Sequence, residues 1–411
     1  MDITKTLPAL TLGTLAAFVL AAPAAAQTGR NFYKDKTVTY IVATTPGGGY
    51  DAYGRLVADY MQKHLPGSTF VVRNMPGAGH LIGANAIYHS KPDGLTIGTF
   101  NTGLIYNQLI GLEGVKFDLK KMSWIGKAAS DPRIFVISAK SPIKSFRDLR
   151  ESKQIVNFAT SGVGSASYVE TKILADALNL PIKIIAGFSG AEDMMAMRRE
   201  EITGIIGSRS SFEDFVKNGY ARYVAQIGGK EQDVPQLSSL VTDPDGKALV
   251  ALIQSQGDLG RLTAGPPDIP ADRLQALRAA YKNALDDKEL QARAARLGRP
   301  VDPAVGEEVA KMVREALDQT PEMIALLAAA LDVKAPVLKA AGPLLEVNKK
   351  GREIVFTGPD GNKVKSEPSG SRTKISIAGK DAKRDNLKVG MNCEISYKSG
   401  GDNEPTTIDC K

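Results

Sequence analysis

Short β-rich runs alternate with helix-like segments from Thr37 to about Gly265, and this alternation constrains the fold of the 411-residue chain more than any other feature. In Ser167–Leu180, for example, the apolar residues share one face of a helix. Apolar strands separated by helices are typical of parallel sheets covered on both sides, so the predicted fold class is α/β. The predicted strands are Val38–Ala43, Thr69–Val72, Leu95–Phe100, Ile134–Ser138, Ile155–Ala159, Ile182–Ala186, Thr203–Gly207 and Tyr223–Ile227.

The number of strands exceeds what one sheet comfortably holds, and Lys127–Pro132 is interpreted as a crossing into a second lobe. After about Leu259 the chain becomes helical, with Pro270 at a helix start, and these helices need an existing structure to cover. A chain that builds one lobe, then another, and then returns forms a two-lobed protein with a hinge. The predicted divisions are residues 27–130 for lobe 1, 131–258 for lobe 2 and 259–342 for return helices packing on lobe 1.

The amino terminus has the layout of a secretory signal peptide. Lys5 precedes an apolar run that ends in the small residues Ala24–Ala26, which predicts cleavage after residues 1–26 and export. The alternative, a membrane anchor, is disfavoured because the run is short and its end is rich in alanine. No later stretch has the apolar length needed to cross a bilayer.

The carboxyl-terminal part, residues 343–411, loses helical periodicity and shows alternating segments with hairpin-type turns. We interpret it as a small all-β module, either a docking element for a partner or an appended stable domain. The chain has two cysteines, Cys393 and Cys410, and in an exported protein such a pair predicts a disulfide. Two unpaired thiols are the alternative.

Composition argues against several function classes. A net charge of +7 over 411 residues, without long Lys/Arg runs, argues against nucleic-acid binding. The three histidines, His64, His80 and His89, are not near the cysteines or at ligand spacing, so no metal site is predicted. Each is interpreted as a surface or turn residue.

Four glycine-rich loops each follow a predicted strand and precede a predicted helix. Ligands of open α/β sheets bind at the carboxyl ends of strands, and a helix start there offers amides and partial positive charge to an anion. Any one loop could be only a tight turn, but four in a chain with an export signal favour a binding site. The loops are Pro46–Asp51, Arg73–Ala84, Ala159–Ser167 and Ala186–Asp193.

The residues around the glycines argue against nucleotides and favour a small organic anion. A phosphate-binding loop needs Lys and Ser/Thr after its last glycine, whereas Gly49 is followed by Tyr50 and Asp51. A serine hydrolase needs a histidine base with a carboxylate partner, a pattern that the three histidines do not offer. Backbone amides and hydroxyls can bind a carboxylate without a metal or a cationic side chain, so we expect no cofactor and no arginine at the site.

The segment Tyr40–Phe100 resembles the opening of the substrate-binding proteins of tripartite tricarboxylate transporters, the Bug-type periplasmic receptors. The likeness extends over about Thr37 to Leu317 and includes the return helices. The matching pieces are Pro46–Gly49 with Asp51 and Arg55, Asn74 with Pro76–Gly79, Pro92–Thr96, Gly162–Ser165 and Phe188–Gly190.

The resemblance implies a class II periplasmic binding fold whose lobes close on a di- or tricarboxylate. It implies that backbone amides, hydroxyls and bridging waters hold the ligand. Asp51 also suits a helix cap, because it would repel a carboxylate ligand, and Phe188 stands where the family commonly has Tyr, which predicts a more apolar wall. The implied ligand contacts are Gly47, Gly48, Tyr50 and Asp51 in lobe 1, and Gly162, Gly164, Ser165, Ser167 and Ser189 in lobe 2.

The predicted function is therefore that of a periplasmic receptor without enzymatic activity. We expect a monomer that captures a small organic anion by lobe closure and delivers it to the permease subunits of a membrane transporter. Two alternatives remain open at this point: an exported hydrolase or isomerase on the same fold, and a sensory receptor that presents its liganded form to a membrane kinase.

Overall fold

The computed structural model describes residues 29–188, 191–229, 234–331, 337–359, 361–398 and 403–411. The predicted signal peptide and Ser189 lie outside these residues. Within the described ranges, no helix is both long enough and apolar enough to cross a membrane.

A six-stranded mixed sheet forms the first lobe. Thr37–Val42 pairs in parallel with both Thr69–Asn74 and Thr96–Thr99, as predicted. The sheet is not parallel throughout, however, because Leu262–Gly265 returns from the second lobe and inserts antiparallel to Thr96–Thr99. The strand order is Ala304–Val305, Ser123–Lys127, Leu262–Gly265, Thr96–Thr99, Thr37–Val42, Thr69–Asn74.

A five-stranded mixed sheet forms the second lobe. Arg133–Ser138 runs antiparallel to both of its neighbours, whereas Val156–Thr160 runs parallel to its own two. Every residue of Arg133–Ser138 is buried, because helices and loops cover both faces of the sheet. The strand order is Ile182–Ala186, Val156–Thr160, Gly204–Ser208, Arg133–Ser138, Ala221–Ile227.

The chain passes between the two sheets in two neighbouring crossings. The first joins Lys127 to Arg133, and the second follows the helix Pro244–Asp258 into the strand Leu262–Gly265. The crossings are hydrogen-bonded to each other, with the Asp131 N–H donating to the Gly257 carbonyl at 3.0 Å. We call these two segments the hinge crossings.

Helices cover the outer faces of both sheets. Gly49–His64 packs against Ala271–Asp286, the predicted return helix that directly follows Pro270. Pro321–Ala330 instead packs against Ala166–Ala177 of the second lobe, so the prediction that the return helices pack on lobe 1 is wrong for this helix. The described helices are Gly49–His64, Leu81–Tyr88, Gly103–Leu109, Phe146–Arg150, Ala166–Ala177, Glu192–Arg198, Glu213–Lys217, Leu237–Leu240, Pro244–Asp258, Ala271–Asp286, Lys288–Arg296, Glu307–Leu317 and Pro321–Ala330.

The carboxyl-terminal β module has a hydrophobic core of its own, with Phe356 and Tyr397 in edge-to-face contact. The module begins before the predicted boundary at residue 343, because Val337–Pro343 pairs with Asn392–Lys398. Cys393 and Cys410 form the predicted disulfide between paired antiparallel strands. The described strands are Val337–Pro343, Glu346–Asn348, Glu353–Thr357, Lys363–Ser366, Lys374–Ile377, Lys380–Asp381, Asn392–Lys398 and Pro405–Cys410.

Candidate ligand-binding cleft

A cleft between the two lobes, with a cavity volume of about 120 Å³, is the candidate site. The first lobe contributes Gly47–Tyr50 to its wall, and the second lobe contributes the carboxyl end of the strand Gly204–Ser208. Ligands of open α/β sheets bind at such strand ends. The cleft therefore lies where the glycine loops were expected to bind an anion.

The first glycine loop is held in place by one buried carboxylate. Gly47 has a φ of +87°, and its N–H donates to Asp51 Oδ2 at 3.0 Å. Asp51 also accepts from Arg55 Nε at 3.0 Å and from Asn74 Nδ2 at 2.9 Å. Burial alone would raise the pKa of Asp51, but the hydrogen bonds from Arg55, Gly47 and Asn74 outweigh burial and lower it. Asp51 shapes the loop and is not part of the cleft lining, whereas Gly47, Gly48 and Tyr50 are.

The helix Gly49–His64 starts at the cleft without a side-chain cap, since its N-cap residue is Gly48. The first N–H groups of any helix have no partner within the helix and carry the positive end of its dipole. This end of the helix can therefore donate hydrogen bonds to a bound anion.

The second-lobe loop contributes less to the cleft than its sequence suggests. Ser167 lines the cleft, and Gly162 lines an adjoining cavity. Ser165 is fully buried, where its hydroxyl donates to the Gly162 carbonyl at 2.7 Å and caps the next helix. The Gly164 carbonyl accepts from Asn107 Nδ2 of the first lobe at 2.8 Å. Gly164 and Ser165 therefore make contacts within the protein, and the structure does not place them in the cleft lining.

Three arginines line the cleft, contrary to the expectation that no cationic side chain is needed there: Arg133, Arg261 and Arg299. Arg133 Nε donates to Glu170 Oε2 at 2.6 Å, and Arg261 Nη2 lies 2.7 Å from Asp131 Oδ2. Both of these guanidinium groups are thus matched by a buried carboxylate.

Arg299 differs from the other two arginines because no described carboxylate forms an ion pair with it. Its Nη1 donates to the Ser210 carbonyl, and its buried Nε has no hydrogen-bond partner within the described part of the chain. Burial and the neighbouring Arg261 guanidinium lower the pKa of Arg299. Arg261 in turn stacks on Tyr50, with 4.4 Å from its guanidinium carbon to the ring centroid. An anion in this cleft would relieve the repulsion between the two guanidinium groups.

His80 and Asp193 also line the cleft. His80 ends the short 3-10 turn Ala78–His80, but its interpretation as a surface residue is wrong, since only 6% of its surface is exposed. Burial lowers the pKa of His80, so its ring is neutral near pH 7. Asp193 is half-buried, and this burial raises the pKa of its carboxyl to about 7. Phe188 packs against an apolar cluster of the second lobe instead of forming the cleft wall.

Sequence reasoning missed the arginines, His80 and Asp193 because, apart from Arg133, only their tertiary surroundings identify them. One sequence feature could have found Arg133, namely a single cation that begins the apolar strand run Arg133–Ser138. A buried cation at a strand end needs a partner and often marks a site. In the described ranges, no group of three or more His, Cys, Asp or Glu side chains is placed to hold a metal ion.

Comparisons with known proteins agree with this arrangement. The family model described as "Tripartite tricarboxylate transporter family receptor" matches residues 53–327. A UPF0065 protein from the tcbD-tcbE intergenic region of Pseudomonas sp. (strain P51) is 25% identical over 53% of this chain. The match covers 65% of that relative, slightly less than two thirds of its length. A UPF0065 protein from the TAR-I region of Agrobacterium vitis is 28% identical over 65% of this chain and 76% of its own.

Solved structures share the fold at lower identity. The periplasmic binding protein BugD aligns with a TM-score of 0.62 and 20% identity, over 72% of this chain and 98% of its own. MatC from Rhodopseudomonas palustris, solved with bound malate, has a TM-score of 0.59 and 20% identity over 71% of this chain and 99% of its own. Another R. palustris protein, solved with adipate, has a TM-score of 0.59 and 17% identity, and the alignment covers 72% of this chain and 98% of that protein. The predicted α/β fold of a two-lobed periplasmic binding protein with an added β module is confirmed.

Proposed function

We infer that this chain, which belongs to the tripartite tricarboxylate transporter receptor family, is a periplasmic receptor that binds a small carboxylate between its lobes. The solved structures with malate and adipate support this ligand class. We further infer that the receptor is a monomer that delivers its ligand to the membrane permease subunits of the transporter.

The unpaired guanidinium of Arg299 carries this proposal. A partly buried cation that forms no ion pair is unfavourable, and here a second cation, Arg261, lies beside it. A ligand carboxylate would supply an ion-pair partner. A hydrogen bond to a charged group contributes roughly 1.5–3 kcal/mol. Arg133 and Arg261 already form ion pairs with Glu170 and Asp131, so Arg299 is the arginine with which an anion would pair.

The first glycine loop offers the complementary donors. In the proposed complex, Gly48 and Tyr50 present backbone N–H groups at the start of the helix Gly49–His64, and Ser167 presents its hydroxyl from the opposite lobe. Each contact at a helix start adds about 0.3–1 kcal/mol. Because each lobe holds part of the ligand, only the closed arrangement satisfies all of the contacts, and binding therefore favours closure.

A hydrolytic function is disfavoured by the surroundings of His80. A serine hydrolase needs a carboxylate that orients the imidazole of its base. His80 Nδ1 instead lies 2.8 Å from the Ala43 carbonyl oxygen. We therefore propose a receptor that releases its ligand unchanged.

Isothermal titration calorimetry of the protein from Gln27 onward, with C4 to C6 di- and tricarboxylates, tests this function. For each carboxylate that binds the wild type, we expect Arg299→Gln to weaken binding by about 10- to 150-fold. Arg296→Gln is the matched control, since Arg296 is exposed and does not line the cleft. Equal affinities of the Arg299→Gln variant and the wild type, or conversion of the ligand to a product, would contradict the proposal.

A further inference from the structure

His80 places a neutral hydrogen-bond acceptor at the cleft, whose lining also includes three arginines and Asp193. Its Nδ1 lies 2.8 Å from the carbonyl oxygen of Ala43. A carbonyl oxygen can only accept, so Nδ1 carries the proton of this hydrogen bond. In the neutral ring the other nitrogen, Nε2, is then an acceptor.

The Nε2 atom is buried and has no hydrogen-bond partner among the described residues. His80 lines both the cleft and the adjoining cavity that contains Gly162. An acceptor buried without a donor destabilises the arrangement that buries it. A carboxylate oxygen cannot relieve this, because it is itself an acceptor. A ligand carboxylate that paired with Arg299 would therefore leave His80 unsatisfied.

The backbone around His80 is fixed where the two lobes meet. His80 has a φ of +77°, a conformation that residues other than glycine adopt uncommonly. The preceding Gly79 packs against the second lobe so closely that a Cβ there would lie 2.2 Å from the Val163 carbonyl oxygen. An unfavourable backbone conformation held by its surroundings is characteristic of ligand-contacting positions.

We propose that His80 is a specificity-determining residue that accepts a hydrogen bond from a hydroxyl or amine group of the bound carboxylate. The receptor then discriminates against unsubstituted dicarboxylates of the same length. This inference rests on the proposed carboxylate-binding function and adds a second requirement to it, a donor on the ligand in addition to its negative charge.

Matched ligands that differ in one substituent test the inference by calorimetry on the protein from Gln27 onward. Succinate, malate and aspartate share a four-carbon diacid skeleton and carry hydrogen, hydroxyl or ammonium at C2. Glutarate, 2-hydroxyglutarate and glutamate form a five-carbon set, and tricarballylate and citrate form a tricarboxylate pair. In at least one set we expect a substituted ligand to bind about tenfold or more tightly than the unsubstituted one. Comparison of the hydroxyl-bearing and ammonium-bearing ligands identifies which group donates the hydrogen bond to His80.

Two variants link this preference to the imidazole. His80→Phe keeps a ring but removes the acceptor, and His80→Gly removes the side chain while accommodating the left-handed backbone. Both should reduce the preference to within about threefold. His89→Phe makes the same substitution at an exposed histidine and should retain the full preference. Circular dichroism confirms that each variant is folded.

The outcomes separate this inference from the proposed function. Equal binding of substituted and unsubstituted ligands by the wild type, or an unchanged preference in both His80 variants, overturns the role of His80 and leaves carboxylate binding intact. Failure of every carboxylate to bind overturns the proposed function and the inference together.

Discussion

Two glycine-rich loops, Pro46–Asp51 and Ala159–Ser167, contribute to the cleft from opposite lobes but have different surroundings. In the first loop, Gly47, Gly48 and Gly49 line the cleft, and the Gly47 N–H donates to Asp51. In the second loop, Ser161 and Ser167 line the cleft. Gly164 and Ser165 instead form hydrogen bonds with Asn107 and Gly162. Glycine ahead of a helix thus predicts a close backbone approach, but it does not distinguish a loop that lines the cleft from one that packs within the protein.

Gly103→Ala should have the largest effect, because it separates the second loop from the first lobe. A Cβ on Gly103 would lie 2.4 Å from the Ala166 backbone nitrogen, across the lobe boundary. Backbone overlap of this kind costs up to about 3 kcal/mol, so ligand affinity should fall roughly 100-fold in calorimetry. The thermal unfolding midpoint without ligand should change far less, since the lobes can stay apart. Unaltered affinity would show that ligand binding does not require this contact.

Asp51→Asn should have an intermediate effect, because it weakens the support of the first loop. The variant loses the charge that binds Arg55 and the Gly47 N–H. We expect the free energy of unfolding to fall by about 1–3 kcal/mol and ligand affinity to fall about tenfold. Arg55→Gln removes only the half-exposed partner and should cost less than about 1 kcal/mol. If Arg55→Gln lowered the free energy of unfolding and the affinity as much as Asp51→Asn does, the ion pair alone would support the first loop.

The stability that Asp51 provides should also depend on pH. Its pKa is lower in the folded protein than the ordinary value of 3.8, so its contribution is present above that value and is lost as pH falls through the folded-state pKa. Urea unfolding at a series of pH values below 4 should therefore show a steeper loss in the wild type than in Asp51→Asn. If the free energy of unfolding fell equally steeply with pH in the wild type and in Asp51→Asn, Asp51 would not be the group responsible.

Ser165→Ala and Ser167→Ala should have the smallest effects, and of different kinds. Ser165 caps the helix Ala166–Ala177, so its loss should lower the free energy of unfolding by about 1 kcal/mol and leave affinity nearly unchanged. Ser167 lines the cleft, so its loss should weaken binding about threefold. Denaturant melts and calorimetry distinguish the two. A larger affinity loss for Ser165→Ala would reverse the assignment of these serines.

The sequence predicted those features that are encoded locally. Strand runs such as Ile182–Ala186, the helix after Pro270 and the position of the first glycine loop follow from periodicity and turn residues. The order of strands and late helices predicted the two lobes, and the family resemblance implied the same arrangement. Gly47, Gly48, Tyr50 and Ser167 were identified as site candidates by the same means, and all four line the cleft.

Features that depend on distant residues were not predictable in this way. Asp131 and Arg261 are 130 positions apart, and Arg133 and Glu170 are 37 apart, so the sequence alone gives no reason to pair them. The antiparallel insertion of Leu262–Gly265 and the early start of the β module at Val337 likewise depend on partners remote in the chain. The role proposed for His80 likewise depends on Ala43 and on the second lobe, which contact this part of the chain.

The bonding between the hinge crossings has a mechanical consequence. Asp131 is joined to Arg261 by its side chain and to Gly257 through its backbone, and the Ala129 N–H donates to the Gly260 carbonyl. Because the two crossings are bonded to each other, they cannot bend independently, and sliding or twisting of one lobe past the other would break these bonds. Rotation of the lobes about the paired crossings would keep the bonds. A small change in separation at the cleft would then produce a larger change at the parts of the lobes farthest from the hinge crossings.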